Sequence, residues 1–314
     1  GNRRMVLSRK RVLPSHRGPV ARARWSGDGK YIITCGHDKT LRLWNPTRTD
    51  ETSRPVDGCE VALEIKAYTG PHAYDIVDVG IFRDNAKFVS CGGDRAAFLF
   101  DVQSGHVVRR FEGHSQRINS VGFNAEDTVL FTASYDQTVR CWDLRSRNRE
   151  PIQVLSDFKD SVTSVSSSAH EIITSCVDGC VRIHDLRMGE CNADNLGVPL
   201  TCATLSHDGK CIVASCLNSQ IGLLEKSDGS VLNTYKGHIH KQYALESCFS
   251  HTDAHILSGS EDGTVLIWDL VEAGVTQRLE GHKRAVGGVA PHPKESKLVT
   301  CSYDGTAVYW EGTY

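Results

Sequence analysis

No stretch of these 314 residues approaches the roughly 18–20 consecutive apolar residues that cross a bilayer as a helix. The N-terminal region carries no apolar segment of the signal-peptide kind, so secretion is not expected. Charge of one sign is also missing: 36 basic against 38 acidic residues leave a formal −2. No global field therefore draws the chain to nucleic acid or to a membrane surface. Recognisable RNA-binding motifs are absent too, so any association with RNA is expected to run through proteins. There is no Cys-x-x-Cys pair, and Cys176 with Cys180 finds no matching second pair. Of the twelve cysteines, Cys35, Cys91, Cys176, Cys216 and Cys301 fall where strand is expected, and a small apolar thiol packs well there. Buried free thiols in a reducing compartment, cytoplasmic and nuclear, are the expectation.

A long-period repeat is what the chain does have. Asp38, Asp94, Asp136, Asp178, Asn218, Asp262 and Asp304 each precede a large side chain by six residues. Those partners are Trp44, Phe100, Trp142, His184, Leu224, Trp268 and Trp310. Successive anchors lie 56, 42, 42, 40, 44 and 42 residues apart. A period of about 40–45 residues with Trp-Asp dipeptides, such as Trp142-Asp143, marks a four-stranded propeller blade. Seven units predict one all-β domain over 1–314, a seven-bladed ring, although the length alone would also allow two ordinary domains. In the third unit, alternation predicts strands over 118–123, 129–132, 138–142 and 149–155, with a turn at 135–137.

Inside the unit, an imidazole precedes the inner strand and a hydroxyl lies four residues before the anchor. Four blades carry the whole set: His16/Thr34/Asp38/Trp44, His114/Thr132/Asp136/Trp142, His238/Ser258/Asp262/Trp268 and His282/Thr300/Asp304/Trp310. Blade two has His72, Ser90 and Asp94 but Phe100 for Trp; blade four lacks the loop His; blade five, with Ala214, Asn218 and Leu224, has lost the network. A buried carboxylate must be paired, and His with Ser or Thr can satisfy it. A hydrolase would use such a trio once, beside an oxyanion hole. Repetition at fixed spacing points to structure, and no enzyme, cofactor or metal is expected. The nearest metal-ligand spacing, His238-Ile239-His240, uses an imidazole already assigned to its blade.

Only four residues follow Trp310, too few for a last strand, while about Arg4–Leu13 has no blade of its own. That segment is expected to close the ring as the outer strand of blade seven, removing an exposed edge. Its Arg3, Arg4, Arg9, Lys10 and Arg11 read as a charged edge, or else as a nuclear-localisation or phosphate patch. The excess of the first interval falls in residues 45–60, polar and with two prolines, which reads as an enlarged loop of blade one on the lower face.

The segments 34–46 (TCGHDKTLRLWNP), 90–94 (SCGGD), 104–114 (SGHVVRRFEGH), 185–189 (DLRMG), 235–238 (YKGH) and 260–270 (SEDGTVLIWDL) resemble the WD40-repeat family. They are closest to its organisers of mitogen-activated protein kinase (ERK) signalling, from about Pro19 to Trp310, with residues 45–60 unmatched. The resemblance implies a monomeric scaffold that binds kinase-cascade components or splicing factors, the group also being found in catalytically active spliceosomes. It implies no membrane and no small-molecule substrate. By position it places protein contacts on the upper rim: His37, Tyr135, Glu261 and Tyr303 just before the anchors, and Asp75, Arg117, Asn119, Tyr243 and Leu245 further upstream. Tyr and Arg are the side chains most enriched at interface hot spots. An alternative is a substrate receptor of a cullin-RING ubiquitin ligase. Trp142-Asp143-Leu144-Arg145 and His184-Asp185-Leu186-Arg187 resemble the Trp-Asp-x-Arg box, with Arg145 and Arg187 as the recognised groups.

Overall fold

The computed structural model describes residues 6–313, with side chains to 312, and all regular structure among them is strand. Strand β1 (Val6–Leu13) comes first. Blade one follows as β2 (Val20–Trp25), β3 (Ile32–Gly36), β4 (Leu41–Thr49) and β5 (Glu60–Tyr68). Blade two is β6 (Ile76–Ile81), β7 (Lys87–Gly92), β8 (Ala96–Asp101) and β9 (Val107–Glu112). Blade three is β10 (Ile118–Phe123), β11 (Val129–Ser134), β12 (Val139–Asp143) and β13 (Gln153–Leu155). Blade four is β14 (Val162–Ser167), β15 (Glu171–Cys176), β16 (Cys180–Asp185) and β17 (Glu190–Asn195). Blade five is β18 (Leu200–Leu205), β19 (Cys211–Cys216), β20 (Gln220–Glu225) and β21 (Val231–Lys236). Blade six is β22 (Ser247–Phe249), β23 (His255–Gly259), β24 (Thr264–Asp269) and β25 (Val275–Glu280). Blade seven is β26 (Val286–Pro291), β27 (Lys297–Ser302) and β28 (Ala307–Thr313), with β1 as its fourth strand.

The seven-bladed ring is therefore closed by the N-terminal strand, as expected. β1 runs antiparallel to β28 from Val6↔Thr313 to Leu13↔Ala307, with a bulge between Arg9 and Arg11. Its other edge touches β5 in parallel at Arg11↔Glu60 and Val12↔Val61, so blades seven and one merge into one eight-stranded sheet. Arg11 ties this seam through Glu60 at 3.3 Å and the Pro46 carbonyl at 3.1 Å. Arg3 and Arg4 lie outside the described residues.

Two expectations change in detail. The segment 45–60 is not all loop, because β4 continues to Thr49 and the connection proper starts at Asp50. The outer strand of blade three is only Gln153–Leu155. Pro151 lacks an N–H for a ladder. Arg109 also gathers the carbonyls of Asp143, Ser146 and Asn148, which holds the preceding connection as a wrap.

Apolar residues at alternate positions of each strand meet those of the next blade, so the core consists of seven clusters, one at each blade junction. Turns on the lower face add polar ties. Asn85, Asp127 and Asp253 sit at positive φ, which Asn and Asp tolerate, and each reaches the preceding blade. Their side chains accept from the N–H groups of Gly27 (2.8 Å), Arg83 (2.7 Å) and His207 (2.8 Å).

Candidate protein-interaction mouth

In three blades the expected network forms as written. His16 pairs with Asp38 at 3.0 Å and with Thr34 at 2.8 Å, and the Trp44 indole N–H donates to Thr34 at 2.9 Å. The corresponding distances are 2.8, 2.7 and 2.9 Å for His114/Asp136/Thr132/Trp142, and 3.1, 2.8 and 2.9 Å for His282/Asp304/Thr300/Trp310. Burial alone would raise the pKa of Asp38, Asp136 and Asp304. The imidazole bond and charge, the threonine hydroxyl and a backbone N–H together outweigh it and hold all three well below the usual carboxylate range. Thr34, Thr132 and Thr300 are wholly buried, so their hydroxyls meet no substrate. Blade two keeps His72–Asp94 and His72–Ser90, both at 2.6 Å, while Phe100 stacks on Phe88 in place of the indole bond.

Blade six departs from expectation. Both ring nitrogens of His238 are buried without a partner, Trp268 donates to the Lys236 carbonyl at 3.0 Å, and Ser258 donates to the Gly259 carbonyl at 3.0 Å. Asp262 is occupied by Thr264 at 2.7 Å. Imidazole and anchor lie 22 apart for His16, His72, His114 and His282 but 24 apart for His238, while His240, which does lie 22 before Asp262, bonds the Tyr243 carbonyl instead. The two extra residues carry the ring past its partners, and the inner strand β22 shrinks to three residues. Leu245, expected on the rim, is buried in this blade. Burial, then the neighbouring His240, pushes the His238 pKa down to about 4.

Blade four solves the same problem differently. Phe158 stands where the loop imidazole would be, and Arg182 reaches back to Asp178 with bonds of 2.7 and 3.1 Å under the Phe158 ring. His184 turns instead to Asp157, at 2.8 Å.

Above this framework, loops from five blades converge. His37, Asp75, Arg117, Asn119, Tyr243 and Tyr303 all line one concave mouth of about 310 Å³ on the upper face. Tyr303 packs against Tyr243 at 4.7 Å and against His37 at 6.0 Å, and burial raises its phenol pKa. Arg117 donates to Asn119 at 3.0 Å, and Asn119 in turn bonds Ser161 and the Val162 carbonyl. Tyr135 stands outside the mouth, 57% exposed. Glu261 is drawn inward: one carboxylate oxygen accepts the N–H groups of Lys241, Gln242 and Tyr243 at 2.7, 2.6 and 3.1 Å, which shapes the loop carrying Tyr243. Tyr74, 59% exposed beside Asp75, was not singled out from sequence; its place next to an upstream rim position was the available signal.

Charges span the channel below. Arg24 from blade one bonds Glu246 of blade six at 2.8 Å and Asp78 of blade two at 3.2 Å. Asp78 accepts from Ser120 and Val121 of blade three, and Arg22 lies 3.6 Å from Glu246. Burial would raise the Glu246 pKa, but the two guanidiniums lower it. Arg22 borders the upper mouth, whereas Arg24 and Glu246 border a lower cavity of about 540 Å³, so the ion cluster lies between the two.

The arginines of the ligase-type boxes are on the surface, whereas Trp142 and His184 are buried. The Arg145 side chain is 75% exposed and 3.8 Å from Asp143, and the second box presents His184 where a Trp is expected. The spacing candidate His238-Ile239-His240 brings its two rings to 6.0 Å, with His240 bonded to the Tyr243 carbonyl. Among the described residues, one trio of possible metal-binding donors meets: Asp157, His184 and Cys191.

A propeller whose blades are locked by such ties, and whose loops gather over one end of a plugged channel, belongs to the WD40-repeat family. Residues 7–45, 105–143, 149–185, 229–269 and 274–311 match the WD domain, G-beta repeat. Each matched segment starts in or just before one blade's outer strand and ends in the next blade, so the repeat unit straddles two blades. The chain is similar over almost its whole length to WD repeat domain-containing protein 83. It is 42% identical to the Homo sapiens protein, covering 98% of this chain and 93% of that one. The Dictyostelium discoideum homologue is 31% identical, at 97% and 98% coverage. An uncharacterized WD repeat-containing protein of Schizosaccharomyces pombe is 34% identical, at 96% and 97%. Family and relatives support a protein-interaction scaffold of non-enzymatic type.

Proposed function

We propose that this chain is a monomeric scaffold that grips a peptide or loop of a partner protein at its upper mouth. Its partners are components of an ERK-type kinase cascade, splicing factors, or both. The observation that supports this reading is the convergence of His37, Asp75, Arg117, Asn119, Tyr243 and Tyr303 on one concave surface. Aromatic and guanidinium anchors in a recess are the usual centre of a hot spot, ringed by polar groups that fix orientation. A mouth of about 310 Å³ admits several side chains of an extended segment, not a folded domain. The near-zero net charge favours protein over direct nucleic-acid contact, and the free cysteines suit a reducing cytoplasmic and nuclear setting.

Affinity purification from the native cell, read by mass spectrometry, tests the proposal when run beside an Arg117→Ala/Tyr303→Ala variant of unchanged thermal stability. The variant should lose a discrete set of proteins that includes kinase-cascade or splicing components. An identical partner list from both would sink the reading. The exposed Arg145 supports a second reading as a ligase substrate receptor; there, a ubiquitin-ligase adaptor would co-purify and be lost in Arg145→Ala/Arg187→Ala.

A further inference from the structure

We infer that Asp157, His184 and Cys191 form a binding site for a zinc-class divalent cation at the outer junction of blades three and four. The trio is assembled by topology. Asp157 lies in the connection between β13 and β14, while His184 on β16 and Cys191 on β17 are directly paired across two antiparallel strands. Paired residues of adjacent strands point to the same face. Blade four makes room for them: an imidazole replaces the indole that fills this slot in blades one, three, six and seven, and Phe158 with Arg182 takes over the anchor Asp178.

The donor atoms of the three side chains all lie within 4.8 Å of one another. Tetrahedral zinc, with bonds of about 2.0–2.3 Å, wants its ligand atoms about 3.5 Å apart. The His184–Asp157 distance of 2.8 Å must therefore open slightly while Cys191 closes in, a change of side-chain torsions and not of strands. One nitrogen, one oxygen and one sulfur suit a borderline cation; magnesium and calcium prefer all-oxygen shells. His184 is buried whereas Asp157 and Cys191 face solvent, which leaves an open side for entry and for a water as fourth ligand.

Without metal, the imidazole N–H at Nε2 points at the Asp157 carboxylate. On binding, that proton moves to Nδ1, the Cys191 thiol releases its proton to solvent, and the cation takes the vacated positions. Nδ1 of His184 is buried without a protein acceptor. Missing outer support of this kind costs about 10–100-fold in affinity, so the site binds more weakly than a closed structural zinc site.

Cobalt(II) titration of the full-length, reduced protein tests this directly. One equivalent should produce a thiolate-to-cobalt charge-transfer band that zinc abolishes by displacement. Cys191→Ser and Asp157→Asn should each lower cobalt affinity at least tenfold and remove or weaken the band. His184→Phe should remove it without unfolding blade four, since Phe100 occupies the equivalent place in blade two; metal-free thermal melts check that. Cys59→Ser and Cys180→Ser, which alter two other partly exposed thiols, should leave the band intact. Absence of the band, its survival in Cys191→Ser, or its loss in either control would overturn the assignment.

Discussion

Two substitutions that look equivalent in the repeat pattern should differ sharply in cost. Thr132 and Ser258 occupy the same position of blades three and six, and Thr132→Val and Ser258→Ala each delete a buried hydroxyl. In blade three, the hydroxyl bonds Nε2 of His114 at 2.7 Å and accepts the Trp142 indole N–H at 2.9 Å. Losing it strands two buried polar groups, each at about 1–3 kcal/mol, so Thr132→Val should cost about 2–5 kcal/mol. In blade six, Trp268 uses the Lys236 carbonyl and His238 reaches neither Ser258 nor Asp262. Ser258→Ala then loses only its own bonds to the Gly259 and Glu246 carbonyls, about 1 kcal/mol in all. Urea unfolding of both variants, compared at unchanged m-value, gives the two losses from the shift in midpoint. Equal losses, or a larger one for Ser258→Ala, would show that blade six carries the same network as blade three and refute the spacing argument.

Burial of His238 predicts sensitivity to mild acid. Its folded-state pKa of about 4 lies below the ordinary 6.5, so between those values the unfolded chain takes up a proton that the folded chain refuses. Stability should fall as pH drops from about 6.5 toward 4, by on the order of 2–3 kcal/mol from this group; His238→Leu should flatten thermal melts over that range. Asp38, Asp136 and Asp304 act lower down, since their depressed pKa values stabilise the fold above about 3.8 and lose that contribution as pH falls further. In the channel, Glu246→Ala takes the nearest carboxylate from Arg22 and leaves Arg24 with Asp78 alone, and should cost about 3–5 kcal/mol, part of it recovered by adding Arg24→Met in a double-mutant cycle. Deleting residues 1–13 bares the edge of β28, so size-exclusion chromatography should show concentration-dependent association that a peptide spanning residues 6–13 reverses.

Much of the architecture was legible along the chain, because a blade is a local object. Anchor, hydroxyl and aromatic lie within ten residues in cases such as Thr132, Asp136 and Trp142, so covalent spacing already brings them to one sheet. Ring closure by the first strand also followed from arithmetic, since blade seven ran out of residues. Six of the nine rim residues fall in one mouth because each holds a repeat-equivalent position on a rigid ring. Blade six keeps the residue types of the pattern but not its bonds, with two extra residues between His238 and Asp262. Other features had no local trace. Arg24 and Glu246 meet across 222 residues, and Cys191 meets Asp157 only because β17 and the loop entering β14 come together in blade four. Contacts of that kind depend on how separate sheets are carried around the ring, and the chain's short-range pattern contains no term for that distance.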